Sequence, residues 1–115
     1  MRYALPMPPS LNRLYRSVGG RVLVSKEGRA YKELVAGLLM AKRARPLSGR
    51  VRLWIWLFPP DRRRRDLDNA QKALLDAMKG RLYQDDEQID DLRIVRGEVR
   101  AGGGVEVEVE QLEGR

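Results

Sequence analysis

Residues 51–78 read VRLWIWLFPPDRRRRDLDNAQKALLDAM, which predicts a strand, a basic loop and a helix in that order. The run from Val51 to Phe58 is rich in β-branched and aromatic residues, and this composition favours a strand. Apolar residues alternate along one face, while two tryptophans and a phenylalanine occupy much of the other. Because both faces are then covered, we expect a central strand, which Pro59 and Pro60 end.

The helix of this stretch begins at Asp66 or Asp68 and lasts until Lys79, before Gly80 provides a C-terminal stop. Its apolar residues recur at the spacing of one helical face, which predicts a buried stripe. That stripe consists of Leu67, Ala70, Leu74 and Met78.

The flanking sequence adds a second helix and further strands. Ser25 is a good N-cap for a helix that runs to about Ala44. We expect four extended segments, at residues 2–5, 21–24, 89–99 and 105–110. A polar loop is expected at residues 12–16. The GGG at residues 102–104 should make a hairpin-type turn between the last two extended segments. The sum is one α+β domain, residues 1–115, with two helices packed against a mixed sheet. The expected apolar face of the first helix is Tyr31, Leu34, Val35, Leu38 and Leu39.

Composition narrows the function classes. The 115 residues carry 23 Lys and Arg against 16 Asp and Glu, a net charge of +7 that suits a polyanionic partner but does not identify one. The chain has no Cys and no His, which excludes disulfides, thiolate sites and histidine-based catalysis. Because no apolar run is long enough to span a bilayer and no signal-peptide core is present, we expect a cytosolic protein.

Charge is distributed unusually around the predicted helix. Four consecutive arginines (62–65) run into the carboxylates of Asp66 and Asp68, and a second pair, Asp85 and Asp86, follows the helix. Cationic side chains bind phosphate, whereas clustered carboxylates repel it, and a hard cation such as Mg²⁺ or Mn²⁺ would reconcile the two. If the two acidic pairs meet, the sequence predicts metal-dependent phosphodiester chemistry on nucleic acid.

Each feature also has a simpler interpretation. Asp66 and Asp68 are suited to capping a helix or stabilising its dipole, and the second acidic pair to a solvated turn. The arginine run could be a solvated loop or a set of surface ion pairs of little net value. Lys72, four residues after Asp68, could stabilise transition-state charge or form an ordinary helical ion pair.

Four segments of the chain carry a further signal: PPSLNRLYR at residues 8–16, VSKEGRAYKE at 24–33, DRRRRDLDNAQKALLDAM at 61–78 and YQDDEQIDD at 83–91. Together they resemble the RusA family of Holliday junction resolvases, small endonucleases associated with phages and prophages. They lie in the family's order and at compatible spacing, and they cover nearly the whole chain. Residues 81–84 (RLYQ) depart from the more apolar sequence of many relatives.

The resemblance implies a homodimeric enzyme of DNA recombination and repair that binds four-way junctions and makes paired symmetric nicks using Mg²⁺ or Mn²⁺. Three residues match the family's essential acidic residues, one matches its catalytic lysine, and Asp85 joins the expected metal ligands. The other expected site residues contact DNA or support the site. The acidic residues are Asp66, Asp68 and Asp86, the lysine is Lys72, and the DNA-contacting group is Asn12, Arg13, Arg16, Arg62, Arg63, Arg64, Arg65 and Asn69.

Other functions stay open from the sequence. One is a branched-DNA-binding protein without nuclease activity, and another is a Mg²⁺-dependent nuclease that acts on RNA or flap DNA. The strand face that carries Trp54 and Trp56 is a candidate for part of a dimer core, or equally a surface that packs against helices.

Overall fold

A four-stranded mixed sheet, with strand order β1-β6-β4-β5, organises the fold. The structure, a computed structural model, describes residues 1–9 and 15–112, without the side chains of residues 15–18 and 21–24. A separate antiparallel pair is formed by β2 and β3. The elements are β1 (Arg2–Leu5), β2 (Tyr15–Val18), β3 (Arg21–Val24), α1 (Lys26–Ala41), β4 (Val51–Phe58), α2 (Leu67–Met78), a 3₁₀ turn (Asp86–Gln88), β5 (Ile89–Arg96) and β6 (Gly104–Gln111).

Strand β4 lies in the middle of the sheet, as its composition predicts. It pairs in parallel with β5 and antiparallel with β6. Val51, Leu53, Ile55 and Leu57 are buried beneath the helices. The α+β architecture of two helices on a mixed sheet is therefore confirmed.

Helix α1 begins where the sequence predicts. The Ser25 hydroxyl accepts a hydrogen bond from the Gly28 backbone N–H at 3.1 Å. The helix ends at Ala41, three residues before the predicted end.

The predicted apolar face of α1 is too wide. Tyr31, Val35 and Leu39 are buried, but Leu34 and Leu38 are 51% and 39% exposed. The helix packs along a single i, i+4, i+8 row, which leaves the neighbouring row of apolar residues outside the core.

Helix α2 agrees closely with its prediction. It ends at Met78, and Gly80 then adopts a left-handed φ of 81°, a conformation that favours glycine. Ala70, Leu74 and Met78 are buried as expected, whereas Leu67 is half-buried. Ala73 and Ala77 complete the buried face, so α2 packs closely on the sheet.

Two sequence predictions about local structure are wrong. Residues 102–104 do not close a hairpin between β5 and β6, because β4 lies between those strands and pairs with both. The chain instead crosses over β4 between the end of β5 and the start of β6. The loop predicted for residues 12–16 is also wrong at its end, since Tyr15–Val18 is a strand paired with Arg21–Val24; residues 12–14 lie outside the description.

The sheet face opposite the helices is covered by arginines stacked on aromatic rings. The Arg52 guanidinium lies 3.8 Å from the Trp54 ring centroid and the Arg2 guanidinium 4.4 Å from that of Trp56. Arg52 also pairs with Glu108 at 2.8 Å, and this partner lowers the pKa of the glutamate. These contacts cover the tryptophans within one chain, so a dimer contact on this face remains a prediction.

No helix in the described part of the chain combines the length and apolar character needed to cross a membrane.

Candidate active site

The N-terminus of α2 presents two exposed carboxylates, Asp66 and Asp68. Asp66 occupies the N-cap position with an extended backbone, but its side chain makes no capping hydrogen bond. Asp68 lies in the first turn, where the helix dipole favours negative charge. Capping therefore does not account for the Asp66 side chain, which leaves it available for a ligand.

The arginine run divides into one structural residue and three exposed ones. The Arg65 guanidinium binds the Asp61 carboxylate through two contacts of 2.6 and 3.1 Å. The Arg65 carbonyl accepts a hydrogen bond from Arg96 Nη2 at 2.6 Å, which ties the loop to β5. The side chains of residues 62–64 are exposed at the surface of the same loop.

Asp61 therefore organises the loop that leads into α2. Its carboxylate accepts a hydrogen bond from the Arg63 backbone N–H at 2.9 Å in addition to the Arg65 contacts. These hydrogen bonds, the Arg65 contact above all, lower the pKa of Asp61 to about 2. Of the two interpretations of the run, the close ion pair applies to Arg65. The Nε atom of Arg63 lies 4.0 Å from the same carboxylate, but this side chain is exposed, and phosphate binding remains open for residues 62–64.

A cavity of about 350 Å³ opens beside the head of α2. Arg64, Asp66 and Asn69 line its polar side, and Pro8 and Leu57 belong to its apolar lining. The structure thus brings the predicted Asn69 beside Asp66, at a cleft bordered by cationic side chains. The N-terminal PPS segment reaches this cleft through its prolines.

Lys72 lies one turn beyond Asp68 on α2 and is largely exposed. Its Nζ atom is 4.0 Å from Oδ2 of Asp76, which is one turn further along. The sequence prediction assigned Asp76 no role, although its i, i+4 spacing from Lys72 is visible in the sequence. Asp68, Lys72 and Asp76 thus form one row of alternating charge along the helix.

The second acidic pair lies at the other end of α2. Asp85 is the N-cap of the 3₁₀ turn, where its carboxylate accepts a hydrogen bond from the Glu87 backbone N–H at 3.3 Å. Oδ1 of Asp85 is also 4.0 Å from Nζ of Lys79, the residue that follows α2. Asp85 therefore has a structural role, and its metal-binding role stays a prediction.

Gln88 is a positioning residue to which the sequence prediction gave no role, although it lies in the YQDDEQIDD segment (residues 83–91) that resembles the family. Its side-chain oxygen accepts hydrogen bonds from the backbone N–H groups of Gln84 and Asp85 at 2.7 and 2.8 Å. Its side-chain nitrogen donates to the carbonyls of Leu47 and Gly49. Gln88 thereby fixes the acidic turn against the segment that leads into β4.

Asp86 lies beside the buried Tyr83. The Tyr83 hydroxyl donates to the Leu75 carbonyl at 3.0 Å, which places it at the C-terminal half of α2. Burial raises the pKa of Tyr83, and the nearby carboxylates of Asp86 and Asp76 raise it further. Asp86 therefore lies near the C-terminal half of α2, beside a tyrosine whose pKa Asp76 also raises.

The predicted convergence of the two acidic pairs does not form within one chain. A helix of 12 residues is about 18 Å long, and the two pairs lie at its opposite ends. Across residues 1–9 and 15–112, no group of three or more acidic side chains is placed to hold one metal ion. The carboxylates of Asp66 and Asp68 nevertheless suit Mg²⁺, which is commonly held by one or two carboxylates together with water and substrate phosphates.

The structure describes only part of the N-terminal segment that the sequence predicts to contact DNA. Asn12 and Arg13 lie outside the described residues. Arg16 belongs to β2, and its side chain is outside the description.

Comparison with known proteins gives one consistent result. The profile of the family described as Endodeoxyribonuclease RusA matches residues 6–110. The chain is 44% identical over 110 residues to the crossover junction endodeoxyribonuclease RusA of Escherichia coli K12, covering 94% of this chain and 92% of the relative. The proteins of the same name from Enterobacteria phage 82 and Shigella sonnei (strain Ss046) are each 43% identical over the same shares. The chain therefore belongs to the RusA family of endodeoxyribonucleases.

Proposed function

We propose that this protein is a crossover junction endodeoxyribonuclease that cuts four-way DNA junctions by paired symmetric nicks. The observation that carries the proposal is the 44% identity over 94% of the chain to a protein of that name. The exposed arginines and carboxylates at one helix end support it, because they combine phosphate binding with hydrolytic chemistry.

The chain's own residues provide binding and orientation. The exposed arginines at residues 62–64 attract the DNA backbone toward the head of α2, and Arg65 holds their loop in place through Asp61. Asn69 lies at the cleft beside Asp66 and is positioned to hydrogen-bond a phosphate or sugar oxygen. Lys72 supplies a positive charge one helical turn beyond Asp68, where it stabilises negative charge that develops on the phosphate.

The reaction requires a divalent cation, for which we propose Mg²⁺ or Mn²⁺. Asp66 and Asp68 would hold it, together with water and a phosphate oxygen of the substrate. When bound, such an ion polarises the scissile phosphate and activates water as a nucleophile. Since the chain has no His, carboxylates and Lys72 are the chain's own groups for this chemistry.

We further propose that the enzyme acts as a homodimer. A four-way junction is two-fold symmetric, and two coordinated nicks need two sites related by the same symmetry. The opposite placement of the acidic pairs supports this, because a partner with an antiparallel α2 would bring its Asp86 to the Asp66 and Asp68 of the first chain. Each site would then contain carboxylates from both chains.

The activity test compares a four-way junction with a linear duplex of the same sequence, with and without Mg²⁺. We expect symmetric nicks in the junction alone and none without the metal. Asp68→Asn should bind the junction and leave it intact. Equal cutting of the linear duplex would contradict junction selectivity, and junction binding without any cutting by the unmodified protein would favour a branched-DNA-binding protein.

The shared site can be tested by mixing inactive variants. Asp66→Asn and Asp86→Asn should each be inactive alone, and subunit exchange between them should restore one intact site and therefore single nicks. A mixture of Asp66→Asn with Asp68→Asn is the matched control and should stay inactive, because both changes affect the same helix end. If the first mixture also stays inactive while both variants exchange subunits, the site does not combine residues of two chains.

A further inference from the structure

We propose that Arg96 is a positioning residue for the metal site, because it holds the peptide group that carries Asp66 and so fixes where this carboxylate starts from the backbone. The inference rests on the proposed function and deepens it by adding a residue to the same site. Arg96 is the last residue of β5 and lies outside the four segments that resemble the family. It acts through Asp66, without touching the metal ion or the DNA.

A hydrogen bond joins Arg96 to the peptide group just before α2. The Nη2 atom of Arg96 donates to the carbonyl oxygen of Arg65 at 2.6 Å. Arg65 precedes the N-cap residue Asp66, so its carbonyl lies outside the hydrogen-bond pattern of the helix and takes its partner from elsewhere. Because the donor is charged, this bond is stronger than one between neutral groups. Strand β5 thus supplies a restraint that the helix itself cannot provide.

The bond acts on Asp66 through the planarity of the peptide group. The carbonyl of Arg65 lies in one plane with the backbone nitrogen and the Cα atom of Asp66. A donor that holds the carbonyl oxygen in one direction therefore also holds that Cα atom. The peptide group after Asp66 enters α2, so this residue is held from both sides. Its side chain makes no capping hydrogen bond, so the backbone provides the restraint.

The sheet places Arg96 where it can make this contact. Arg96 is in register with Leu57 of β4, whose side chain is buried beneath the helices. Ile94, two residues earlier on β5, packs against the same core. Side chains two residues apart on a strand share a face, so Arg96 points to the side of the sheet on which α2 begins.

The backbone that follows Arg96 is held against the end of β4. The Gly97 N–H donates a hydrogen bond to the Leu57 carbonyl at 2.7 Å. A Cβ atom on Gly97 would lie 2.5 Å from the Phe58 ring, so a larger residue here would displace that ring. These contacts fix the point from which the Arg96 side chain reaches the loop. A positioning residue needs such a rigid base.

The other role for an exposed arginine at this place is direct binding of a DNA phosphate. The two roles make opposite predictions for metal binding. A guanidinium group repels a divalent cation, so loss of its charge alone would tighten metal binding by nearby carboxylates. Loss of a partner that orients a metal ligand weakens metal binding instead. The sign of the change therefore separates the two roles.

Binding of Mn²⁺ to the protein alone, followed by the electron paramagnetic resonance signal of the free ion, tests the proposal without any reaction. Arg96→Met removes the donor and the charge, and it should raise the Kd for Mn²⁺ about tenfold. Arg96→Lys keeps a charged donor on a slightly shorter side chain and should recover part of the affinity. Arg45→Met removes the same charge from an exposed position in the loop before β4 and should leave the affinity unchanged. Asp66→Asn identifies the binding that belongs to this site.

Single-turnover cutting of a four-way junction gives a second readout. At saturating enzyme and a fixed Mg²⁺ concentration, Arg96→Met should lower the rate constant about tenfold. The Kd for the junction and its salt dependence should stay unchanged, because Arg96 does not contact DNA. A purely structural effect would appear as a lower midpoint in urea titrations, with the Mn²⁺ affinity of the folded protein unchanged.

The outcomes separate the role of Arg96 from the function. Mn²⁺ binding that is unchanged or tighter in Arg96→Met would overturn the positioning role. If the slope of the salt dependence then also fell by about 0.9, Arg96 would be a phosphate contact instead. An unmodified protein that cuts no junction would contradict the proposed function, while the Mn²⁺ affinities of the variants would still decide the role of Arg96.

Discussion

The three exposed arginines of the loop before α2 should account for a defined part of the salt dependence of DNA binding. Affinity for duplex DNA falls with salt with a slope of about 0.9 per neutralised phosphate. Replacing Arg62, Arg63 and Arg64 by alanine should therefore reduce the slope by up to about 2.7. If all four arginines of the run bound phosphate equally, replacing all four would reduce the slope by about 3.6. Between about 50 and about 200 mM salt, these slopes correspond to affinity changes of roughly 40-fold and roughly 150-fold.

Fluorescence anisotropy with a labelled four-way junction measures this slope, in the Asp68→Asn background so that the DNA stays intact. Arg65→Ala should leave the slope nearly unchanged, because Arg65 is bound to Asp61 by two hydrogen bonds. Asp61→Asn weakens that ion pair and should steepen the slope by up to about 0.9 if Arg65 then reaches a phosphate. The reasoning assigns Arg65 to the ion pair with Asp61 and residues 62–64 to phosphate binding. It would be refuted if the slope did not change in the triple variant, or if Arg65→Ala lowered the slope as much as each of the other three arginines does.

Three further outcomes follow from single contacts. Ser25→Ala removes the cap of α1 and should lower the free energy of unfolding by about 1 kcal/mol in urea titrations, with Lys26→Ala as the exposed control. Leu74→Ala, at a side chain with no exposed surface, should cost roughly 2–5 kcal/mol by the same measurement. The pKa of Asp61 is lowered from 3.8 to about 2 in the folded chain, so its stabilising contribution is present above about pH 4 and is lost as the pH falls toward 2. Asp61→Asn should therefore flatten the dependence of the free energy of unfolding on pH in this range, as urea titrations at several pH values would measure.

The strand–loop–helix segment was predictable because its signals are local. Composition defines β4, two prolines end it, and Gly80 takes the left-handed φ that stops α2. The cap of α1 is similarly contained within four residues. None of these features depends on which distant segment packs nearby.

The β5–β6 connection failed as a prediction because strand pairing is not local. The glycines at residues 102–104 suit a tight turn, and two extended segments flank them. However, β4, α2 and β5 form a strand–helix–strand unit, and such a crossover makes its two strands parallel neighbours. Strand β6 then pairs on the remaining side of β4, so the glycine-containing segment must cross over it.

The same strand–helix–strand unit explains why the acidic pairs stay apart. The helix returns antiparallel to the strands, so the residues before it lie at the carboxyl end of β4 and those after it at the amino end of β5. The short distance in sequence from Asp68 to Asp85 therefore spans the length of the helix, as the contact between Lys79 and Asp85 shows. The number of residues between two motifs does not contain this information, because it does not give the direction in which the chain runs between them. In the proposed homodimer, a two-fold axis beside α2 would exchange the two ends of the helix. The symmetry that matches a four-way junction would then also be the operation that completes an acidic site.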